Sequence, residues 1–226
     1  MQTRRTLLAL GASAAIASTA GCIENLPFAG DGPMTFTAQP ATVPESALDE
    51  TGYEQQEIKE VVVEETFEAG GQSQDVVVTN WQAEYDRAVD FGDLGIPVDG
   101  RQQAAVFTAL ATPQVSVLGQ TFNPVADMSS EELAEMVQDR YEGLENLDHV
   151  GEESLEVAGE STTVGELEGE ASLIDGGLSV ELTLHIAEAV EAGEDLIVAV
   201  GGYPTELRDE EHPNIVTMME AIEHEE

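Results

Sequence analysis

Between Gly165 and Ile186 the chain changes character at almost every residue, and that period of two leaves it little choice but to form sheet. Gly165, Leu167, Gly169, Ala171 and Leu173 alternate with Glu166, Glu168 and Glu170. Asp175-Gly176-Gly177 is a turn sequence, and beyond it Leu178, Val180, Leu182, Leu184 and Ile186 repeat the pattern. Successive side chains on a strand point to opposite faces, so each segment predicts one apolar and one polar face. Two such runs joined by a glycine-rich turn predict a hairpin. Ala192-Gly193 turns the chain again into Leu196–Val200, an unbroken apolar run that suits a central strand.

The first half carries the same signature less cleanly. Gln56–Phe67 contains three consecutive valines and ends at Glu68-Ala69-Gly70-Gly71, a turn. Asp75–Val89 alternates, with Val77, Thr79, Trp81, Ala83 and Tyr85 on one side. Asp99-Gly100 marks another turn before the apolar strand Gln102–Ala111, and Pro113 signals an edge or a break. Two segments have helical spacing instead. Ser129 and Glu132 form a capping box, and Leu133, Met136, Val137, Tyr141 and Leu144 fall on one face, with Gly143 near the end. A last helix over about Asp209–Glu223 presents Ile215, Val216, Met219 and Ile222. Hairpin-linked strands punctuated by helices predict an α+β fold, an antiparallel sheet covered by helices.

Charge sets the conditions under which such a sheet can form. Lys and Arg number 7 against 46 acidic residues, a formal net charge of −39, with Lys59 the sole lysine. At low ionic strength this charge strains a compact domain by self-repulsion. At about 1 M salt the screening length falls to about 3 Å and the repulsion fades. The acids are spread through the chain and 42% of residues are hydrophobic, enough for a core, so an acidic disordered tail is the poorer description. Nucleic acid is not an expected partner, because scattered cations cannot form a phosphate-binding stripe.

The N-terminus reads as an address. Thr3-Arg4-Arg5-Thr6-Leu7-Leu8 has the form of a twin-arginine export signal, and the apolar stretch from Leu7 to Ala20 is shorter than the roughly 20 residues of a membrane-spanning helix. It exits through Thr19-Ala20-Gly21-Cys22, a lipobox pattern in which cleavage leaves Cys22 first and lipidated. Residues 1–21 are therefore expected to be a signal peptide, 22–34 a tether rich in Pro and Gly, and 35–226 a single acidic domain. Cys22 is the only cysteine, so lipidation leaves the mature domain without a thiol or an internal disulfide.

Signal, lipobox and acidic composition together resemble the twin-arginine-exported lipoproteins of haloarchaea. From Met128 to Glu226 the order of helix, strands, the apolar strand LIVAVGGYP and the terminal helix NIVTMMEAI is similar to the PsbP-like sandwich. That similarity rests on element order and on Gly201-Gly202-Tyr203-Pro204. It implies an accessory or binding protein, although fold alone does not set function.

Residues capable of chemistry are scattered. Asp90-Phe91-Gly92 matches a kinase tripeptide, but no glycine-rich loop or His-Arg-Asp segment accompanies it, so it reads as a loop after a strand. His149, His185, His212 and His224 lack the spacing of a local metal motif, and no metal ligands are assigned. His185 falls on the polar face of its strand with Glu181 and Thr183, which predicts a solvated sheet face. Glu166, Glu168 and Glu170 should stand about 7 Å apart along one face. Without the spacing of a calcium loop, that row predicts only weak nonspecific cation association. No nucleophile elbow, P-loop or dinucleotide-binding glycine set occurs, and no catalytic residue or cofactor is assigned. Trp81 and Tyr85, at period two, read as core rather than as a ligand groove.

These observations predict a cell-surface lipoprotein on the extracellular face of the membrane, a non-catalytic module that binds a surface protein or small ligand. The alternative is a surface hydrolase using Asp/Glu carboxylates or a carboxylate-bound cation. A two-lobed solute-binding component fits less well, since the pattern suggests one lobe. Salt dependence follows from the charge alone. The thermal midpoint should fall steadily as potassium chloride is lowered, and full stability in dilute buffer would contradict the salt-adapted reading.

Overall fold

The apolar run near the C-terminus becomes the middle of the sheet. The computed structural model describes residues 32–69, 72–90, 101–117, 120–121, 123–140, 143–173 and 178–224. In chain order the elements begin with β1 (Met34–Thr37), β2 (Ala41–Thr42), α1 (Glu45–Thr51), β3 (Glu54–Ala69), β4 (Gln72–Asp90) and β5 (Arg101–Pro113). Next come β6 (Ser116–Val117), β7 (Gln120–Thr121), α2 (Ser130–Arg140), β8 (Leu144–Val157), β9 (Glu160–Leu173) and β10 (Leu178–Ala187). The chain continues through β11 (Val190–Ala192), β12 (Asp195–Pro204), a 3-10 turn Thr205–Leu207, α3 (Arg208–Glu220) and β13 (Glu223–His224).

β12 pairs antiparallel with β5 on one edge and with β10 and β11 on the other. Beyond β10 lie β9 and β8, and beyond β5 lie β4 and β3. β1 departs from this pattern: it runs parallel to β4, pairing Met34–Thr37 with Val76–Thr79. The result is a mixed nine-stranded sheet.

This architecture corrects the expected fold class. Among the described residues 62% are strand and 21% helix, with three helices, so this is not an α+β antiparallel sheet covered by helices and not a PsbP-like sandwich. The reason lies at the two ends of the sheet. None of the residues from Glu54 to Phe67 on β3 is buried, and β8 alternates between exposed and half-buried positions along most of its length. Periodicity identified a strand at β3 but not whether a layer lies over it. β8 is too polar to give an alternating signal at all. Its hairpin to β9 turns through Ala158 and Gly159 at φ 49° and 83°, the left-handed pair that a two-residue type I′ turn uses.

Burial is concentrated around β12. Ile197, Ala199 and Tyr203 join one apolar cluster, while Leu196 and Val198 join another on the opposite face. The continuous apolar run is thus buried on both sides, as its composition requires. Tyr85 also sits in the first cluster, its hydroxyl accepting the Val43 N–H at 2.9 Å, and Trp81 packs against the same cluster.

α2 begins with the anticipated capping box: Ser129 N–H donates to Glu132 Oε2 at 2.9 Å and Glu132 N–H to Ser129 Oγ at 3.3 Å. Its described residues run to Arg140, Tyr141 lies outside the described residues, and Leu144, which the apolar spacing placed on the helix, belongs to β8. Met136 is 40% exposed, leaving Leu133 and Ala134 as the buried contacts. Gly143, at φ 92°, makes the reversal between the two elements.

α3 docks where β12 has no side chain. A Cβ on Gly201 would stand 2.6 Å from Ile215 Cδ1 and 2.7 Å from its Cγ2, so Ile215 occupies the space a larger residue would need. Its first turn is pinned by Glu211, fully buried, which pairs with Arg87 of β4 and accepts from the Tyr53 hydroxyl at 3.1 Å. Replacing Gly201 by Ala should therefore lower stability by about 1–3 kcal/mol through overpacking. Gly151→Ala on β8, with nothing within 4 Å of the added carbon, should leave the urea midpoint nearly unchanged.

Candidate functional site

The missing side chain at Gly201 also assembles the most chemically distinctive cluster among the described residues. His185 on β10 lies directly opposite Gly201 on β12 and opposite Glu166 on β9. Ile215 fills the gap at Gly201, which holds α3 over this face. His212 precedes Ile215 by three positions and so shares its side of the helix. Its ring comes down beside that of His185, with centroids 5.0 Å apart and planes at 38°.

Glu153 completes the cluster from β8. Its Oε1 accepts from His212 Nε2 at 2.8 Å and lies 4.0 Å from His185 Nδ1. One donor atom from each of Glu153, His185 and His212 falls within 4.8 Å of the others. These residues come from β8, β10 and α3, which are not consecutive in the chain.

Tyr203 on β12 supports His185 from the other side. Its hydroxyl is 2.7 Å from His185 Nε2, and the rings stack at 5.5 Å. His185 is 1% exposed and Tyr203 fully buried. Burial, with added repulsion from His212 and Arg208, lowers the His185 pKa to about 4, so the ring is neutral at pH 7. Burial raises the Tyr203 phenol above its ordinary value, and it stays protonated. With Nε2 engaged by Tyr203, Nδ1 is the nitrogen that faces Glu153. Arg208 approaches the same region, but its guanidinium is held by Glu166 and Glu168.

Chemically, the cluster is a set of Lewis bases: two imidazoles and a carboxylate converging on one point. The side chains of Glu153 and His212 are 35% and 36% exposed, so the point is reachable from solvent. Such a set suits a cation or another electron-poor ligand.

The expected solvated face at His185 is corrected by this packing, because α3 lies across it and Thr183 is buried alongside. The glutamate row is divided among partners. Glu166 and Glu168 hold Arg208, while Glu170 accepts from Asn146 Nδ2 at 3.3 Å. His149 lies 3.7 Å from Glu131 at the surface, and His224 pairs with buried Asp195 at 2.9 Å. Arg4, Arg5, Thr19, Ala20, Gly21 and Cys22 lie outside the described residues, as do Phe91 and Gly92.

The sequence did not single out Glu153, and it named His212 only as one of four histidines without a local metal motif. Glu153 sits on the unanticipated strand β8. His212, however, had a signal: carrying the Ile215–Met219 stripe back one turn puts Glu211 and His212 on the packed side of α3.

The chain belongs to the family defined by DUF6517, a domain of unknown function, whose model matches residues 40–223 and so spans all three residues of the cluster. No curated protein and no solved structure matches it. No helix among the described residues is long and apolar enough to cross a membrane.

Burial of neutral His185 has a consequence for stability. The unfolded chain takes up a proton near the ordinary histidine pKa of 6.5, whereas the native ring does so only near 4. More protons are bound in the unfolded state across that window, so stability should fall as pH drops from about 6.5 to about 4. In chelator-treated protein at fixed salt, His185→Gln should show a shallower fall over the same window in urea unfolding.

Proposed function

We propose that this protein is a binding module held on the extracellular face of the membrane of a salt-adapted, haloarchaeal-type cell, with its ligand site at His185, His212 and Glu153. The observation that carries the ligand site is the convergence of their donor atoms within 4.8 Å. Two imidazoles meeting in a chain with only four histidines is a specific arrangement, where a cluster of carboxylates in so acidic a chain would not be. Tyr203 adds support, since it holds the buried ring in a fixed orientation toward the site.

The tether rests on residue pattern. Arg4-Arg5 followed by an apolar stretch and Thr19-Ala20-Gly21-Cys22 supports export in the folded state and lipid attachment at Cys22. In this reading the partners are the membrane, through the lipid, and a small ligand or surface protein at the histidine site. A second reading, a surface hydrolase, is favoured by one feature of the same cluster. Three protein ligands around a cation leave a coordination position for water.

Membrane fractionation tests the tether. Cys22→Ser should move the protein from the membrane pellet to the soluble fraction, and Arg4→Lys with Arg5→Lys should retain it inside the cell. A serine variant that stays with the membrane overturns lipid anchoring. Turnover of ester or phosphoester substrates that disappears in Glu153→Gln would put the hydrolase ahead of the binding module.

A further inference from the structure

We propose that the ligand of the His185–His212–Glu153 site is a divalent transition-metal ion of the zinc type. The inference rests on the proposed function only in taking this cluster as the ligand site, and it names the chemistry of what binds there.

Selectivity is the first argument. With 46 acidic residues, the chain offers carboxylate oxygens almost everywhere, and Mg²⁺, Ca²⁺ and alkali cations can associate with any of them. Imidazole nitrogen discriminates, because it suits Zn²⁺, Cu²⁺ and Ni²⁺ and is a poor ligand for hard cations. A site with two imidazoles and one carboxylate is therefore distinct from the acidic background.

Geometry is the second. Bonds of about 2.0–2.1 Å in tetrahedral arrangement place neighbouring ligand atoms about 3.3 Å apart. The separations of 2.8 Å for His212 Nε2 to Glu153 Oε1 and 4.0 Å for His185 Nδ1 to Glu153 Oε1 lie on either side of that value. The three ligand atoms already lie within 4.8 Å of one another, and Glu153 and His212, each about a third exposed, have room to rotate toward a common ion. An ion at His212 Nε2 takes the lone pair of the neutral ring, so the proton that this nitrogen shares with Glu153 moves off Nε2 and the ring carries its single proton on Nδ1.

Preorganisation is the third. Metal-bound histidines commonly use their second nitrogen to hold an outer partner, which sets tautomer and orientation. Tyr203 occupies that place at 2.7 Å from His185 Nε2, and with the proton on Nε2 the Nδ1 lone pair is directed at the site. Tyr203 is thus a positioning residue. The nearby Arg208 charge is offset in part by Glu166 and Glu168, which reduces its repulsion of an incoming cation.

The test uses the full-length protein in detergent at high potassium chloride, stripped with chelator and titrated with Co²⁺ alone. One cobalt per chain should bind with the intense visible bands of a four- or five-coordinate ion. Equimolar Zn²⁺ should displace it, and a large excess of Mg²⁺ or Ca²⁺ should not. His212→Ala should weaken cobalt binding by more than about 100-fold, beyond the roughly 10–100-fold cost of losing an outer partner. Tyr203→Phe should weaken it by about 10-fold or more while keeping the band shape. Should His185→Ala fail to fold, His212→Ala decides, since its side chain is 36% exposed and it can be checked by circular dichroism. Weak six-coordinate-type absorption, displacement by Mg²⁺, or unchanged affinity in His212→Ala overturns the inference. If metal binding fails while Cys22→Ser still leaves the membrane, the metal falls and the tethered module stands. Retention of the serine variant beside intact zinc binding gives the reverse.

Discussion

The contact between Ile215 and the bare backbone at Gly201 is the one on which the rest of the arrangement depends. It lets α3 lie close on the central strand, and the other attachments of the helix follow from that approach. Glu211 enters the interior to meet Arg87 and Tyr53, and Met218 and Met219 extend the buried stripe along the helix. A buried carboxylate without its partners would carry a large desolvation cost, so the pairing with Arg87 constrains where the first turn can sit. His212 is the next residue along, and the helical rotation of about 100° carries it toward β8 instead of β4. Docking of one helix thereby holds a histidine over a second histidine and beside a glutamate.

Electrostatics in this protein operate in two separate regimes. Most of the acidic residues are on solvated surface, where salt screens them and no single one matters much. Arg87 with Glu211, His224 with Asp195, and neutral His185 with Tyr203 lie in or near the interior, where screening is poor and each partner has a specific role. Ionic strength governs the first group, and local geometry governs the second.

Much of the sheet was legible from local pattern. The period-two segments became β4, β9 and β10, the apolar strand Gln102–Ala111 became β5, the run Leu196–Val200 became the strand buried on both faces, and Ser129 and Glu132 capped α2 as their spacing implied. What local pattern does not contain is which strands remain uncovered. β3 reads as a strand from its valines, yet its neighbours on either face are decided by where distant helices settle. β8 and α1 gave no usable signal: the former is a polar strand at the end of the sheet, the latter a helix of 7 residues closed by Gly52 in the left-handed region. The candidate site was less legible still. His185 was visible as a residue on a polar face, but its burial comes from Gly201 and Ile215, far from it in sequence.

By itself, then, the sequence determined strand periodicity, the double-sided burial of Leu196–Val200, the acidic surface and the N-terminal pattern ending at Cys22. Each follows from neighbours along the chain or from composition, where side-chain direction and charge add up without knowledge of the fold. Only tertiary structure decided that the sheet is mixed, with exposed ends, and that Glu153, His185 and His212 share one point. Those outcomes depend on strand order and on how closely α3 can approach β12. That distance is set by a side chain absent at one position and filled by another fourteen residues away.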